Sequence, residues 1–265
     1  MNSRKADELL ARLAPTAVVV DIGGGASPFL RADYVIDGLA YEARGELDGA
    51  QKRGVERFTR ETWTQLDLCA RKPWPFPDRF FDFATCSHVL EDVRDPVWVC
   101  SEMRRIAKAG YIETPSRMLE QSRGIEHPLY AGFHHHRWLV TIDGNRLVFR
   151  QKPHSLHSCG RAIVAEVGVW RRLNPRYENC ALEWQGNFQF GEELLFNEAE
   201  VNGELCAFAE SCRGLADLTL PLDIPFTHKL KRCIYFWRMR RAARVGAFTN
   251  RRHAVASHAV DRSRS

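Results

Sequence analysis

Residues 18–28 read VVVDIGGGASP, with Asp21 followed after one residue by Gly23, Gly24 and Gly25. Three β-branched residues running into an acid and a glycine triplet predict a buried parallel strand that breaks into a tight loop over a ligand. The plain alternative is a structural turn, so the reading rests on what the rest of the chain adds.

Charge selects among ligands for such a loop. A dinucleotide site needs G-x-G-x-x-G at the start of a helix, so that bare backbone can approach a pyrophosphate. Gly23 and Gly25 satisfy the first two positions, but Pro28 stands at the third. The Asp21 carboxylate, at the strand's end, would repel a pyrophosphate and attract a cation. S-adenosylmethionine carries a sulfonium and an ammonium. Residues 21–27 fit D-x-G-x-G-x-S, which resembles the D/E-x-G-x-G-x-G pattern of class I S-adenosylmethionine-dependent methyltransferases.

Working outward, residues 3–13 predict a short amphipathic helix with Leu9, Leu10 and Leu13 on its apolar side, stopped by Pro15. Only about two helical turns fit between Gly25 and Arg31, less than the crossover helix of a βαβ unit. A second strand, 34–36, ends in Asp37, placed to accept hydrogen bonds from a ribose diol or simply to start the turn at Gly38. Residues 39–62 read as a loop or irregular helix over the site. A third strand edge at 64–68 carries Asp67 and Leu68, and the rigid segment PWPFPD follows at 73–78.

The string FFDFATCSHVLEDVRDP, 80–96, predicts a fourth strand over 80–87 that passes straight into His88, then a helix over 97–106 with Val97, Cys100, Met103 and Ile106 at helical spacing. Residues 74–106 resemble the second half of the methyltransferase core, of the type 11-like kind, where P-F-P-D precedes F-D-x-x-x-x-S and H-V-L-E. Asp92 and the Ala109-Gly110 pair depart from that pattern. With a fifth strand at 111–114, the resemblance covers 18–115. It implies a doubly wound, Rossmann-like, mostly parallel α/β sheet with S-adenosylmethionine across the strand ends. On it, Asp21, Gly23, Gly24 and Gly25 form the cofactor loop and Asp37 meets the ribose. Asp67 and Leu68 meet the adenine edge, and Ser87 and His88 line the methyl side.

Methyl transfer from a sulfonium chiefly needs positioning and exclusion of water, with a base only for an acceptor that arrives protonated. His88, Glu91 and His135 are the candidate catalytic residues; the bland reading makes His88 a bonded loop residue and Glu91 a solvated helix-start acid. Glu113 and Glu120 are further acids on the acceptor side. The run His134, His135, His136, with His127 near it, raises a metal site. Read as a strand, it turns neighbouring rings to opposite faces with no acid at ligand spacing, so no metal is expected.

Beyond the core, RWLVTIDGNRLVFRQK at 137–152 predicts a hairpin about Asp143-Gly144-Asn145. Residues 156–173 predict a helix through Cys159, Ile163, Val167 and Trp170. Residues 180–184 and 188–190 predict a second hairpin about Gly186-Asn187, closing the sheet with antiparallel strands. Residues 192–217 have no clear pattern.

The net charge of +5 is uneven: from His228 onward eleven Lys and Arg face a single acid, Asp261, leaving the first 227 residues at −5. Residues 228–245 predict a basic amphipathic helix and 251–265 a disordered tail. The helix packs on the core or, through 228–252, meets an anionic membrane surface or nucleic acid. Eight scattered cysteines without C-x-x-C read as reduced thiols. No apolar run is long enough for a membrane span or resembles a leader, so a cytoplasmic location is expected. The organisation expected is a methyltransferase core over 1–115, sheet completion and acceptor-side hairpins over 116–226, and the basic helix and tail over 227–265. The expected activity is methylation of a small-molecule acceptor; the rival is a non-catalytic binding or regulatory protein on the same fold.

Overall fold

The computed structural model describes residues 3–25, 27–44, 55–168 and 171–221, together with 230, 233–235, 237–238 and 241. The chain divides into two compact units, 1–222 and 223–265.

In the first unit, helix α1 (Ser3–Arg12) precedes strand β1 (Val19–Ile22), and β2 (Tyr34–Asp37) and β3 (Trp63–Gln65) follow. Among the described residues between β1 and β2 there is no helix: the chain turns back through hydrogen-bonded loop contacts, including Ser27 N to Gly24 O and Ala32 N to Phe29 O. Strand β4 (Phe83–Ser87), helix α2 (Pro96–Ile106) and strand β5 (Ala109–Pro115) complete the parallel half. Helix α2 starts where Asp95 caps it, accepting a hydrogen bond from Trp98 N, with Pro96 in the first turn.

Next come α3 (Arg117–Glu120), the hairpin β6 (Trp138–Asp143) and β7 (Arg146–Gln151), β8 (Arg171–Leu173), β9 (Asn179–Gln185), β10 (Gln189–Glu192), α4 (Glu198–Arg213) and β11 (Thr219–Pro221). The main sheet runs β3-β2-β1-β4-β5-β9, with the first five strands parallel and β9 antiparallel against β5. A smaller sheet runs β10-β7-β6, and β8 pairs with β11. The doubly wound, mostly parallel architecture expected from 18–115 is the one observed.

Alternation along the strands divides the core. Val20, Ile22, Ile36, Ala84, Cys86 and Ile112 face Val99, Cys100, Met103 and Ile106 of α2, together with Phe149 and Trp184. Burying each of those α2 side chains contributes about 1.5–3 kcal/mol. On the opposite face Val19, Val35, Trp63 and Tyr111 pack with Leu9 of α1, Phe29 and Phe58.

Three expectations change beyond β5. Residues 156–173 form two short 3-10 turns, His154–His157 and Gly160–Ala162, and then β8. The amides of Val164 and Val167 bond the carbonyls of Gln121 and Arg123, which takes them out of any helical ladder. The second hairpin is divided between sheets: β9 closes the main sheet, while Gln189 N bonds Asn145 O and β10 lies parallel to β7. The unpatterned 192–217 segment contains α4, capped by Asn197 and packed through Leu205, Ala209 and Cys212.

In the second unit the described residues are helical, and the Arg241 guanidinium lies 5.3 Å from the centre of the Trp237 ring. The rest of the expected 228–245 helix and the 251–265 tail lie outside the described residues. Among the described residues no helix is long and apolar enough to cross a membrane.

Candidate functional site

Parallel pairing brings the carboxyl ends of β1, β2, β4 and β5 to one edge. The register sets Asp21 beside Thr85 and Ser87 beside Glu113. Every second residue shares a face, so these four polar side chains and Asp37 lie on one side of the sheet at its ligand-binding edge.

The glycine loop is tied to that edge by its own acids. Asp21 is buried; Oδ1 accepts a hydrogen bond from the Thr85 hydroxyl at 2.6 Å, and Oδ2 accepts one from Phe29 N at 2.8 Å. Burial pushes its carboxyl up to about 6, against the opposing effect of those two donors. Asp21 therefore holds the loop in shape, its two oxygens engaged by Thr85 and Phe29 within the fold. Asp37 accepts from Gly25 N at 2.8 Å and from Leu39 N at 2.6 Å, one bond on each oxygen. A carboxylate has about four acceptor positions, so Asp37 keeps capacity for two hydroxyls.

At the end of β4, His88 takes a left-handed backbone conformation with φ 58°, which turns its ring back over the strand ends. Nε2 lies 3.3 Å from Glu113 Oε1 and Nδ1 3.5 Å from Glu91 Oε1. Burial alone would lower the imidazole's pKa, but the two carboxylates raise it to about 9. Glu113 moves the other way, to about 2: burial would raise it, and hydrogen bonds from His88 and the Tyr111 hydroxyl outweigh that. Ser87 Oγ adds a third donor to Glu113 at 3.1 Å. The two carboxylates thus favour the imidazolium form of His88, which suits donating a hydrogen bond or holding charge better than accepting a proton.

Glu91 is 1% exposed, and neither carboxylate oxygen makes a hydrogen bond among the described residues. The bland reading of a solvated acid is excluded. Its backbone carbonyl accepts from Arg137 N and Trp138 N, which docks the histidine-bearing segment against the His88–Glu91 loop.

Asp67 is half exposed, bonds Arg94 at 2.5 Å and accepts from Cys69 N; Leu68 is buried. A cleft of about 420 Å³ opens beside them, lined in part by Cys69, Ala70, Arg94, Pro96 and Trp138. His134 and His135 occupy a turn, not a strand, and acids reach them from elsewhere: Glu126 lies 2.6 Å from His134 Nδ1. His135 is exposed, while His136 is nearly buried against Glu120. Sequence reasoning missed Thr85 and Lys152. Thr85 has the same strand parity as Ser87, a usable signal; Lys152, buried against Glu120, has none.

The backbone cradle and the spare acceptor capacity of Asp37 fit a nucleoside-bearing cofactor. No curated protein matches the chain. Among solved structures, the YcgJ protein from Bacillus subtilis is 22% identical over 43% of this chain and 51% of its own, with a TM-score of 0.33. A SAM-dependent methyltransferase from Aquifex aeolicus is 19% identical over 42% and 64%, TM-score 0.31. An S-adenosylmethionine-dependent methyltransferase from Mesorhizobium loti is 20% identical over 55% and 63%, TM-score 0.31. The chain thus spans about half to two thirds of the length of these relatives. A family model for a methyltransferase domain matches residues 2–151, more than half of the chain. With that match and the parallel sheet order, the protein belongs to the methyltransferase domain family, of class I type, whose cofactor is S-adenosylmethionine.

Proposed function

We propose that the protein methylates a small-molecule acceptor, with the loop 21–25, Asp37, Ser87 and His88 forming the donor side of its site. The observation that carries this reading is the contact of Gly25 N with Asp37, which joins the ends of β1 and β2 into one backbone-lined cradle. When bound, the cofactor supplies a methyl group already activated by its sulfonium.

The chain's own residues then position and shield. Asp37 accepts from the ribose hydroxyls with the lone pairs its two amide donors leave unused. The backbone of Gly23–Gly25 allows close approach, and Asp21 keeps that backbone in place through Thr85 and Phe29. Asp67, Leu68 and the neighbouring cleft take the adenine edge. The His88 imidazolium, held between Glu113 and Glu91, orients the methyl side, and Glu91 adds negative charge from a buried carboxylate. His135 stands on the acceptor side, in the turn docked to Glu91. With His88 protonated, an acceptor that is already nucleophilic suits this site better than one needing a strong base.

Calorimetric titration with S-adenosylmethionine, its demethylated product and NAD tests the assignment. Micromolar binding of the first two, weakened at least tenfold by Asp37→Ala, is expected. Binding of NAD alone, or of none of the three, overturns it. The truncated β1–β2 crossover favours the rival, a non-catalytic binding protein on this fold: cofactor binding without turnover across an acceptor screen would support that reading.

A further inference from the structure

Asp92 meets the adjacent pair His135 and His136 from more than forty residues away in the chain. One ligand atom from each lies within 4.8 Å of the others. Two donors about 2.1 Å from a tetrahedral ion stand roughly 3.4 Å apart, so a small closure of the turn brings all three to ligand distance.

His136 is the oriented member. Its Nδ1 lies 2.7 Å from Glu120 Oε1, and its Nε2 lies 4.0 Å from Asp92 Oδ1. A carboxylate on Nδ1 keeps the proton there and leaves the lone pair on Nε2. The 4.0 Å gap is too wide for a hydrogen bond and suits two donors that share an ion. This arrangement of carboxylate, imidazole and open nitrogen is how metal-ligating histidines are commonly held.

The support behind it is rigid. Glu120 is 1% exposed and pairs with the Nζ of Lys152, which also donates to the carbonyls of Ala131 at 3.1 Å and Phe133 at 2.7 Å. Between those carbonyls, Gly132 has φ 55°, and a Cβ there would lie 2.4 Å from Glu120 Oε2. A glycine is needed for the loop to close over the carboxylate and aim His136 outward. The rings of His135 and His136 stand 4.5 Å apart. Nothing in the cofactor reading uses Glu120, Lys152 or His136.

We propose that Asp92, His135 and His136 bind a divalent transition-metal ion, with Glu120 as the carboxylate that orients His136. Two imidazoles and one carboxylate suit zinc-class ions and disfavour calcium or magnesium, which take oxygen ligands. Three protein donors leave one position of a tetrahedral ion open. Glu126 and His134, 2.6 Å apart, form a second exposed group that shares His135, whose Nδ1 lies 3.7 Å from Glu126 Oε2.

The test is titration of chelator-treated full-length protein with Co²⁺, followed by its visible absorption, and displacement by Zn²⁺. One equivalent of tetrahedral Co²⁺ per chain is expected. Asp92→Asn and His135→Gln, both at exposed positions, are expected to weaken binding at least tenfold; His154→Gln, on an exposed 3-10 turn, leaves it unchanged. Glu120→Gln is expected to cost about 10–100-fold in affinity, with circular dichroism as the check on folding. Absence of the absorption bands, or affinity that survives Asp92→Asn, overturns the proposal.

Discussion

The amide of Gly25 and the carboxylate of Asp37 meet at 2.8 Å across the gap between two parallel strands, and a Cβ on Gly25 would lie 2.7 Å from Asp37 Oδ1. The contact therefore admits only glycine, and a side chain there must push the loop away from β2. Gly25→Ala is expected to weaken S-adenosylmethionine binding at least tenfold while the fold is retained. Calorimetry paired with thermal melting checks this. Unchanged affinity would remove the cradle from the site.

Thr85 supplies half of the bonding that keeps Asp21 buried. Thr85→Val preserves shape and removes the donor, so a loss of about 1–3 kcal/mol is expected in urea unfolding. Asp21 has a folded value of about 6, above its ordinary 3.8. Its favourable, protonated state is fully present below 3.8 and is lost as pH rises through 6. The variant's deficit is accordingly expected to be larger at pH 7.5 than at pH 4, and an equal deficit at both would contradict the assignment.

The His88–Glu113 pair has a window with two edges. For His88, raised from 6.5 to about 9, stabilisation is complete below 6.5 and disappears as pH rises through 9. For Glu113, lowered from 4.5 to about 2, it is complete above 4.5 and disappears as pH falls through 2. Melting midpoints are expected to be highest between about pH 4.5 and 6.5 from this pair and to decline toward pH 9. Glu113→Gln is expected to flatten the alkaline decline. NMR titration of the His88 ring gives a direct reading, and a midpoint near 6.5 would restore it as a possible base.

Helix α2 carries much of the core on one face of the sheet, and its start depends on Asp95, which accepts from Trp98 N at 3.0 Å. Asp95→Ala is expected to cost about 1 kcal/mol in chemical denaturation. The exposed Arg71 that also pairs with Asp95 adds little, so Arg71→Ala is expected to be near neutral.

Much of the first 115 residues was legible because local rules and tertiary structure agree there. The β-branched run 18–20 leads into the strand Val19–Ile22, buried on both faces, and reads as one without further context. The caps and spacing of 95–106 likewise specify a helix. The 156–173 stretch shows the opposite case. Its apolar spacing was helical, yet the amides of Val164 and Val167 found carbonyls at Gln121 and Arg123, partners more than forty residues away that no local pattern contains.

The site divides in the same way. The sequence by itself determined which residues stand at the strand ends: Asp21, Asp37, Ser87 and His88 follow from strand periodicity and motif order. Only the tertiary structure decided what those residues are. It buried Asp21 and spent its charge on Thr85 and Phe29, and it closed His88 between Glu91 and Glu113 so that it stays protonated. It also brought Asp92, Glu120 and Lys152 to a histidine turn that, read as a strand, had no acids. Protonation and ligation depend on burial and on distances across the fold, and neither is encoded in the spacing of residues along the chain.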